Sequence, residues 1–234
     1  MRRDDYLHTL CKAEFGIFDQ VAANARKLGF EYCAFGMKLP LPMVDPKIVL
    51  LNDYPATWSE RYGTQGYLGV DPIVKHGLHS NAPIIWSAEL FTDAGDLWDD
   101  ANAHGLNQGI GLAKRLENGS VGMLNLSRGA DPISALEARK LFPEIEMMSE
   151  MLIVTEGRAA TQRHLPESLI LLNAREKEIL RWTADGKTSS EIGQILNIAT
   201  ATVNFHINKA LLKLNSVNKT QAVVKAVVLG LIAN

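Results

Sequence analysis

Three aromatic residues with polar tips, Tyr54, Trp58 and Tyr62, recur every fourth position in NDYPATWSERYGTQGYLGVDPIVKHG, the spacing that places side chains one above another on a helix face. Asp71-Pro72 follows, and then Trp86 in APIIW. Large aromatics that each carry a donor, converging with one carboxylate, fit a mostly apolar pocket with a few directed hydrogen bonds. They equally fit core aromatics with Asp71 capping the PIVKHG helix. As an enzyme centre the set is poor. Asp71 and Tyr54 can be drawn as base and donor, but the chain has no GxSxG elbow, no HExxH and no Cys–His pair in a plausible order.

A second constellation lies in TSSEIGQILNIATATVNFHINKALLKLN, residues 188–215. Thr188-x-x-Glu191 is a capping box, in which a hydroxyl and a carboxylate satisfy the orphan amides of a helix start. That helix is expected to end near Leu196, and the next to run from Thr200 to Leu214. On the second helix Val203, Ile207, Ala210, Leu211 and Leu214 share one side, with His206 at its border. The opposite side holds Ala201, Phe205, Asn208 and Leu212, with Thr202 and Lys209 alongside. Two short helices joined by a tight turn, the second exposing Phe, Asn and Lys, match a helix-turn-helix whose second helix reads a DNA groove. Asn pairs with adenine, Phe meets a thymine methyl, and Lys reaches guanine or phosphate. Lys187, Thr188 and Thr202 stand at helix starts, where phosphates are commonly held. A plain helical bundle with a solvated face has the same spacing. Gly186-Lys187-Thr188 resembles the end of a phosphate-binding loop, but that motif needs a glycine at 181, where Arg181 stands.

The elements around these residues divide the chain in two. Residues 1–164 hold 16 Lys/Arg against 21 Asp/Glu, a net of −5, and residues 165–234 hold 8 against 5, a net of +3. Only the tail is therefore suited to approach phosphate. Apolar residues make up 47% of the 234, enough for packed cores and against global disorder. The two cysteines, Cys11 and Cys33, form no CxxC and adjoin no His cluster, so zinc is not expected, and reduced thiols suit the cytoplasm. The start MRRDDYLHTL lacks the apolar core of a signal peptide, and Lys225 interrupts the apolar tail AVVKAVVLGLIAN, so no membrane span is expected.

Before the break GRAATQRHLPES, residues 157–168, residues 4–28 read as helix, EYCAFGM and KIVLL as strands, PIIW as a short strand and LWDDANAHG as a helix ending at Gly105. NQGIGLAKRL and SVGMLNLSRG read as two strands joined at Asn118-Gly119. From Pro132, Ile133, Leu136, Leu141, Ile145, Met148 and Leu152 fall at helical spacing. The fold expected is α+β: an α-β-α sandwich around an antiparallel sheet over residues 1–160, a linker over 161–170, and an all-α four-helix helix-turn-helix domain over 171–234.

Residues 172–232 resemble the C-terminal DNA-binding domain of LuxR-type regulators. Glu176, Leu180, Gly186, Lys187, Glu191, Ile192, Thr202, Val203, His206, Lys213, Leu214, Asn218 and Ala222 fit the family pattern in order. The recognition helix departs from it: Ala199, Thr200 and Ala201 replace the usual Ser cap and acidic–basic pair, at about 1 kcal/mol unless Thr200 substitutes as the cap. The DNA-facing set implied is Lys187, Thr188, Thr200, Thr202, Asn204, Phe205, Asn208 and Lys209. An early receiver-type phosphorylation site is not matched, since only Asp53 follows the early strands.

Tyr54, Trp58, Tyr62, Asp71, Pro72, Trp86 and Gly111 resemble the characteristic residues of the autoinducer-binding domain of acyl-homoserine-lactone receptors. The resemblance implies that Trp58 donates to the lactone carbonyl, Asp71 accepts from the amide N–H, and Tyr54 donates to the amide carbonyl. It implies that Tyr62 and Trp86 pack on the acyl chain and lactone ring. Asn125 stands where relatives carry a small hydroxyl residue, and Ala34 where some carry Ser. Ala34 cannot bond a 3-oxo group, which leans towards an unsubstituted chain or one whose 3-substituent is met by water or another residue. The ligand set is thus Tyr54, Trp58, Tyr62, Asp71, Trp86, Asn125, Ala34 and Gly111, with no cofactor or metal. The partners expected are double-stranded DNA, an N-acyl homoserine lactone, a second copy of the chain and RNA polymerase, with no membrane. The second copy would dock through the long helix from Pro132 and the row Val223, Val224, Val227 and Val228. A ligand-independent orphan regulator of the same family is the alternative.

Overall fold

The computed structural model describes residues 16–129 and 131–232. Residues 4–15 of the expected first helix, Cys11 among them, lie outside them. The chain divides into two compact units, one built from residues 1–39, 45–116 and 120–160, the other from 161–234 together with 40–44 and 117–119.

The first unit is a five-stranded antiparallel sheet between helices, as the sandwich reading expects. Its strands are β1 (Tyr32–Lys38), β2 (Ile48–Asn52), β3 (Ile84–Ile85), β4 (Gln108–Arg115) and β5 (Val121–Arg128), in the order β2-β1-β5-β4-β3. The helices are α1 (Ile17–Lys27), α2 (Ala56–Gln65), α3 (Pro72–His79), α4 (Gly95–Ala103) and α5 (Ala135–Leu152), the last continuing through a π turn (Ile153–Gly157) into α6 (Arg158–His164).

Because side chains alternate across a strand, the sheet has two unlike faces. Cys33, Phe35, Met37, Leu124, Leu126, Ile110 and Leu112 form one face, all buried. Lys114 ties this face to α5 through Glu150 at 2.9 Å. Ile145, Met148, Ser149 and Leu152 are the buried residues of α5, whereas Leu136 points outward and is 64% exposed. A Cβ on Gly157 would come within 2.9 Å of Met37 Sδ. That glycine therefore permits close approach to the sheet, and the segment that reads as a break from 157 is helical to His164. A short 3-10 turn (Pro166–Leu169) follows. The opposite face carries Ala34, Gly36, Gly109, Gly111, Ala113, Met123 and Asn125, mostly small, under an aromatic cluster.

The second unit holds α7 (Ala174–Ala184), α8 (Ser189–Leu196), α9 (Thr200–Lys213) and α10 (Lys219–Val228). Capping boxes open α7 at Asn173/Glu176 and α8 at Thr188/Glu191, as their spacing predicts. Ile179, Ile192, Val203 and Ile207 form one core cluster; Leu172, Leu180, Ala210, Leu214, Ala222, Ala226 and Ile232 form another. Glu176 is buried and shares its Oε2 between the Asn173 N–H at 2.9 Å and Lys213 Nζ at 2.7 Å. Its burial opposes ionisation, but the Lys213 and Asn173 hydrogen bonds and the Lys213 charge together outweigh that and hold the carboxyl below its usual range.

Candidate functional site

Pro55 fixes the start of the first site. The residue before a proline is biased to extended backbone, so α2 begins at Ala56 and Tyr54 stands outside it. The three-residue stack read from the spacing is thus a pair, Trp58 and Tyr62, in edge contact at 5.6 Å between ring centroids. Tyr54 arrives instead from the β2–α2 connection, with its N–H donating to Asn52 Oδ1 and its ring 6.0 Å from Tyr32.

Asp71 is the N-cap of α3. Its Oδ1 accepts from the Ile73 N–H at 2.8 Å, and its Oδ2 accepts from the Tyr62 phenol at 2.8 Å. Tyr62 therefore does more than pack: its O–H orients the carboxylate. The cap reading is thus met, and an ionised carboxylate has about four acceptor positions, of which the cap and Tyr62 use only part. Burial raises the Asp71 pKa, against the Tyr62 and backbone hydrogen bonds that lower it. Burial likewise raises Tyr54, opposed by the neighbouring Ser127 hydroxyl, and raises Tyr62. Tyr54, Tyr62 and Asp71 nevertheless keep surface accessible to a water-sized probe, as do Ala34 and Asn125 on the sheet. These groups and the small-residue face of the sheet lie on the side of the aromatic cluster.

The sheet register sets which residues lie beneath those aromatics. Ala34 pairs with Asn125, and Asn125 with Gly111, so these three candidates lie in one row across β1, β5 and β4, with Ile84 next in line. A Cβ on Gly111 would come within 2.6 Å of Asn125 Oδ1, so only glycine leaves the amide its position. One row along, a Cβ on Gly109 would come within 2.4 Å of the Trp86 ring, which lies flat against that backbone. Trp58 is 5% and Trp86 9% exposed, and both belong to the cluster with Tyr67, Phe91 and Leu97. Among the described residues neither Trp86 Nε1 nor Asn125 Oδ1, both buried, has a hydrogen-bond partner. Tyr67 contributes a further aromatic face, 6.2 Å from Trp58 and stacked on it, with its O–H donating to Asp100. The repeat of four in Tyr54–Trp58–Tyr62 does not extend to Tyr67, and only the density of aromatics in the segment marks it.

The second site is the surface of α9. Val203, Ile207, Ala210 and Leu214 are buried, and Thr200, Thr202, Asn204, Phe205, Asn208 and Lys209 are exposed. Lys209 Nζ lies 4.6 Å from the centre of the Phe205 ring, a cation–π contact on the helix surface. Gly193 admits the turn: a Cβ there would come within 2.8 Å of the Ile198 carbonyl. Ala199 is the N-cap of α9, which has no side-chain cap, so Thr200 does not substitute for the missing Ser. Lys187 and Thr188, at the start of α8, border an open cleft of about 350 Å³ whose other wall holds Lys219, Thr220, Val223 and Val224. Lys219 and Thr220 escape the sequence reading, although Asn218-Lys219-Thr220 repeats the Lys-Thr helix start of Lys187-Thr188. Among the described residues no group of His, Cys, Asp and Glu could hold a metal ion, and no helix is long and apolar enough to cross a membrane.

Residues 13–154 match the autoinducer binding domain, and residues 171–226 match the luxR family of bacterial regulatory proteins. The transcriptional activator protein SolR of Ralstonia nicotianae is 43% identical over 92% of each chain. The quorum-sensing regulator RhlR of Pseudomonas aeruginosa is 37% identical over 93% of this chain and 90% of its own. The structure of SdiA in complex with octanoyl-rac-glycerol superposes with a TM-score of 0.80 at 33% identity, covering 96% of this chain and 92% of that one.

Proposed function

Because the chain belongs to the LuxR family of transcriptional regulators, with an autoinducer-binding domain ahead of its DNA-binding domain, we propose that it is switched by an N-acyl homoserine lactone. What supports the reading is that Tyr54, Trp58, Tyr62, Asp71 and Trp86 gather on the side of the sheet that carries the Ala34–Asn125–Gly111 row. In this reading Asp71 accepts the lactone's amide N–H, Tyr54 donates to the amide carbonyl and Trp58 donates to the lactone carbonyl. Trp86 packs on the ligand over Gly109. A pocket lined this way binds an acyl chain by area and its head by a few charge-assisted or neutral hydrogen bonds. The relative solved with octanoyl-rac-glycerol supports a space of this shape, since that ligand also joins an acyl chain to a polar head.

Bound lactone stabilises the fold by mass action. The DNA-bound form is a homodimer. Val224 and Val227, exposed apolar residues of α10, together with the long helix from Pro132, supply a surface for the second copy. Two α9 helices then enter successive major grooves of a palindromic site, one turn apart. Phe205, Asn204, Asn208 and Lys209 read bases, while Lys187, Thr188, Thr200, Thr202, Lys219 and Thr220 hold phosphates. RNA polymerase is the partner through which such a dimer changes transcription.

The test is a thermal-shift titration of the full chain with straight-chain lactones of graded length, beside Trp58→Phe. A dose-dependent rise that the variant weakens supports the reading. A chain that is stable alone, binds its DNA and responds to no lactone is the orphan regulator instead.

A further inference from the structure

Asn204, Phe205 and Asn208 lie together on the exposed side of α9, with one helical turn from first to last. Asn and Phe form helices less well than the Lys, Glu and Gln that suit a solvated helix face. Local bonding does not explain the asparagines. Among the described residues neither side-chain amide makes a hydrogen bond, whereas Asn173 and Asn218 use theirs to cap α7 and α10. Asn204 and Asn208 therefore each present a free carbonyl and a free amide N–H side by side. That is the pattern that pairs bidentately with N6 and N7 of adenine in the major groove, and Phe205 beside them offers the apolar surface that meets a thymine methyl.

The residues that read G·C pairs are missing from this side. α9 contains no arginine, whose bidentate contact most often reads guanine, and no acid, which would accept from cytosine. Its two lysines are placed elsewhere. Lys213 donates to buried Glu176 at 2.7 Å and to the Leu171 carbonyl at 3.2 Å. Lys209 stands at the flank of the exposed side with its Nζ over the Phe205 ring, where an outer base or a phosphate is in reach. A rise of about 1.5 Å per residue separates Asn204 from Asn208 by about 6 Å, roughly two base-pair steps of 3.4 Å. We infer that α9 selects a half-site whose core is a couple of A·T pairs roughly two steps apart, with Asn204 and Asn208 selecting adenine and Phe205 selecting the thymine methyl. The inference rests on the reading of α9 as the DNA-recognition helix.

The experiment selects binding sites for the full chain from random duplex DNA, alone and with the straight-chain lactone that gives the largest thermal shift. Fluorescence anisotropy then measures affinity for the selected site with each A·T pair of one half-site replaced in turn by G·C. At the pairs read by the asparagines the replacement is expected to weaken wild-type binding about 5- to 150-fold. Asn204→Ala is expected to abolish the discrimination at one of them and Asn208→Ala at the other, each leaving the salt dependence of binding unchanged because phosphate contacts are untouched. Alanine forms helices better than asparagine, so both variants fold. Asn208→Arg is expected to turn its position towards G·C. Deoxyuridine in place of thymine, which removes only the methyl, should weaken the wild type and leave Phe205→Ala unaffected. A selected half-site with a G·C core overturns the inference and leaves α9 as the recognition helix. So does an A·T preference that Asn204→Ala and Asn208→Ala both retain while Phe205→Ala loses the methyl response. Selection of no sequence, or a sequence that all three alanine variants read as the wild type does, brings down both.

Discussion

Asp71 holds two roles that one pair of substitutions separates. Its Oδ1 caps α3 through Ile73, and its Oδ2 accepts from Tyr62. Asn caps a helix about as well as Asp, and in Asp71→Asn the new amide N–H can donate to the Tyr62 phenol with the roles reversed. The variant also removes a carboxylate whose ionisation burial opposes. Its ligand-free stability is therefore expected within about 1 kcal/mol of wild type. What it cannot do is accept a ligand N–H at that oxygen. A hydrogen bond to a charged group contributes about 1.5–3 kcal/mol, so half-maximal stabilisation by lactone should need roughly 10- to 150-fold more ligand. Asp71→Ala loses the cap, about 1 kcal/mol, and strands the phenol, about 1–3 kcal/mol, so its ligand-free melting temperature should fall as well. Thermal-shift titration of the three proteins decides. An Asp71→Asn variant with the wild-type ligand midpoint makes Asp71 a cap and nothing more. An Asp71→Asn variant as unstable as Asp71→Ala refutes the capping account.

The same residue sets a pH dependence. The folded, ligand-free pKa of Asp71 is raised, so the folded state holds the proton more tightly than the unfolded chain. Its contribution to stability is present at low pH and lost as pH rises through the raised value. A ligand N–H favours the ionised form. The lactone-induced shift should therefore grow as pH rises through that value, and Asp71→Asn should lack this component.

Gly109→Ala forces the Trp86 ring off its backbone; a loss of about 1–3 kcal/mol from overpacking and a weakened lactone response, followed by denaturation, are expected. Ala34→Leu fills the space proposed for the ligand: chemical denaturation should show unchanged or higher ligand-free stability with no lactone response, whereas destabilisation would mean that the face is already packed. Phe205→Ala should leave folding unchanged, since the ring is 54% exposed, but weaken operator binding in a gel-shift assay by about 1–3 kcal/mol. Lys213→Met leaves Glu176 buried without its cation, costing about 3 kcal/mol at neutral pH. Because the Glu176 pKa is depressed, the wild-type advantage over this variant should disappear as pH falls through that folded value.

Local signals in this chain were read well where the physics is local. The capping box at Thr188/Glu191 and the buried side of α9 depend on residues three or four apart, and each stands where its spacing places it. Signals failed where a local reading competed with a neighbour or with tertiary contact. Pro55 overrode the four-residue repeat and moved Tyr54 off the helix. Gly157 reads as a breaker but serves close packing on Met37. Leu136 keeps helical spacing yet faces outward, because it sits in the first turn of α5, ahead of the stretch where Ile145, Met148 and Leu152 are buried. The row Ala34–Asn125–Gly111 joins the β4–β5 hairpin to β1, some ninety residues from β5 in sequence. No periodicity encodes that register, so its members were legible only by resemblance.

That row also explains why one sheet can serve stability and recognition together. The face of Phe35, Met37, Leu124 and Leu126 buries large side chains against helices, and burial of that kind contributes about 25 cal/mol per Å² whether or not a ligand is present. The opposite face withholds the same contribution: Ala34, Gly109, Gly111 and Ala113 present almost no side chain to the aromatics above them. Space left there forgoes dispersion contacts on both walls, and the polar groups at Trp86 and Asn125 forgo their hydrogen bonds. In the proposed reading, a bound lactone would supply both the missing contacts and the missing hydrogen bonds. Larger side chains on this face would make the domain more stable and leave nothing for a ligand to supply, so responsiveness here is stability deliberately left incomplete by the sheet.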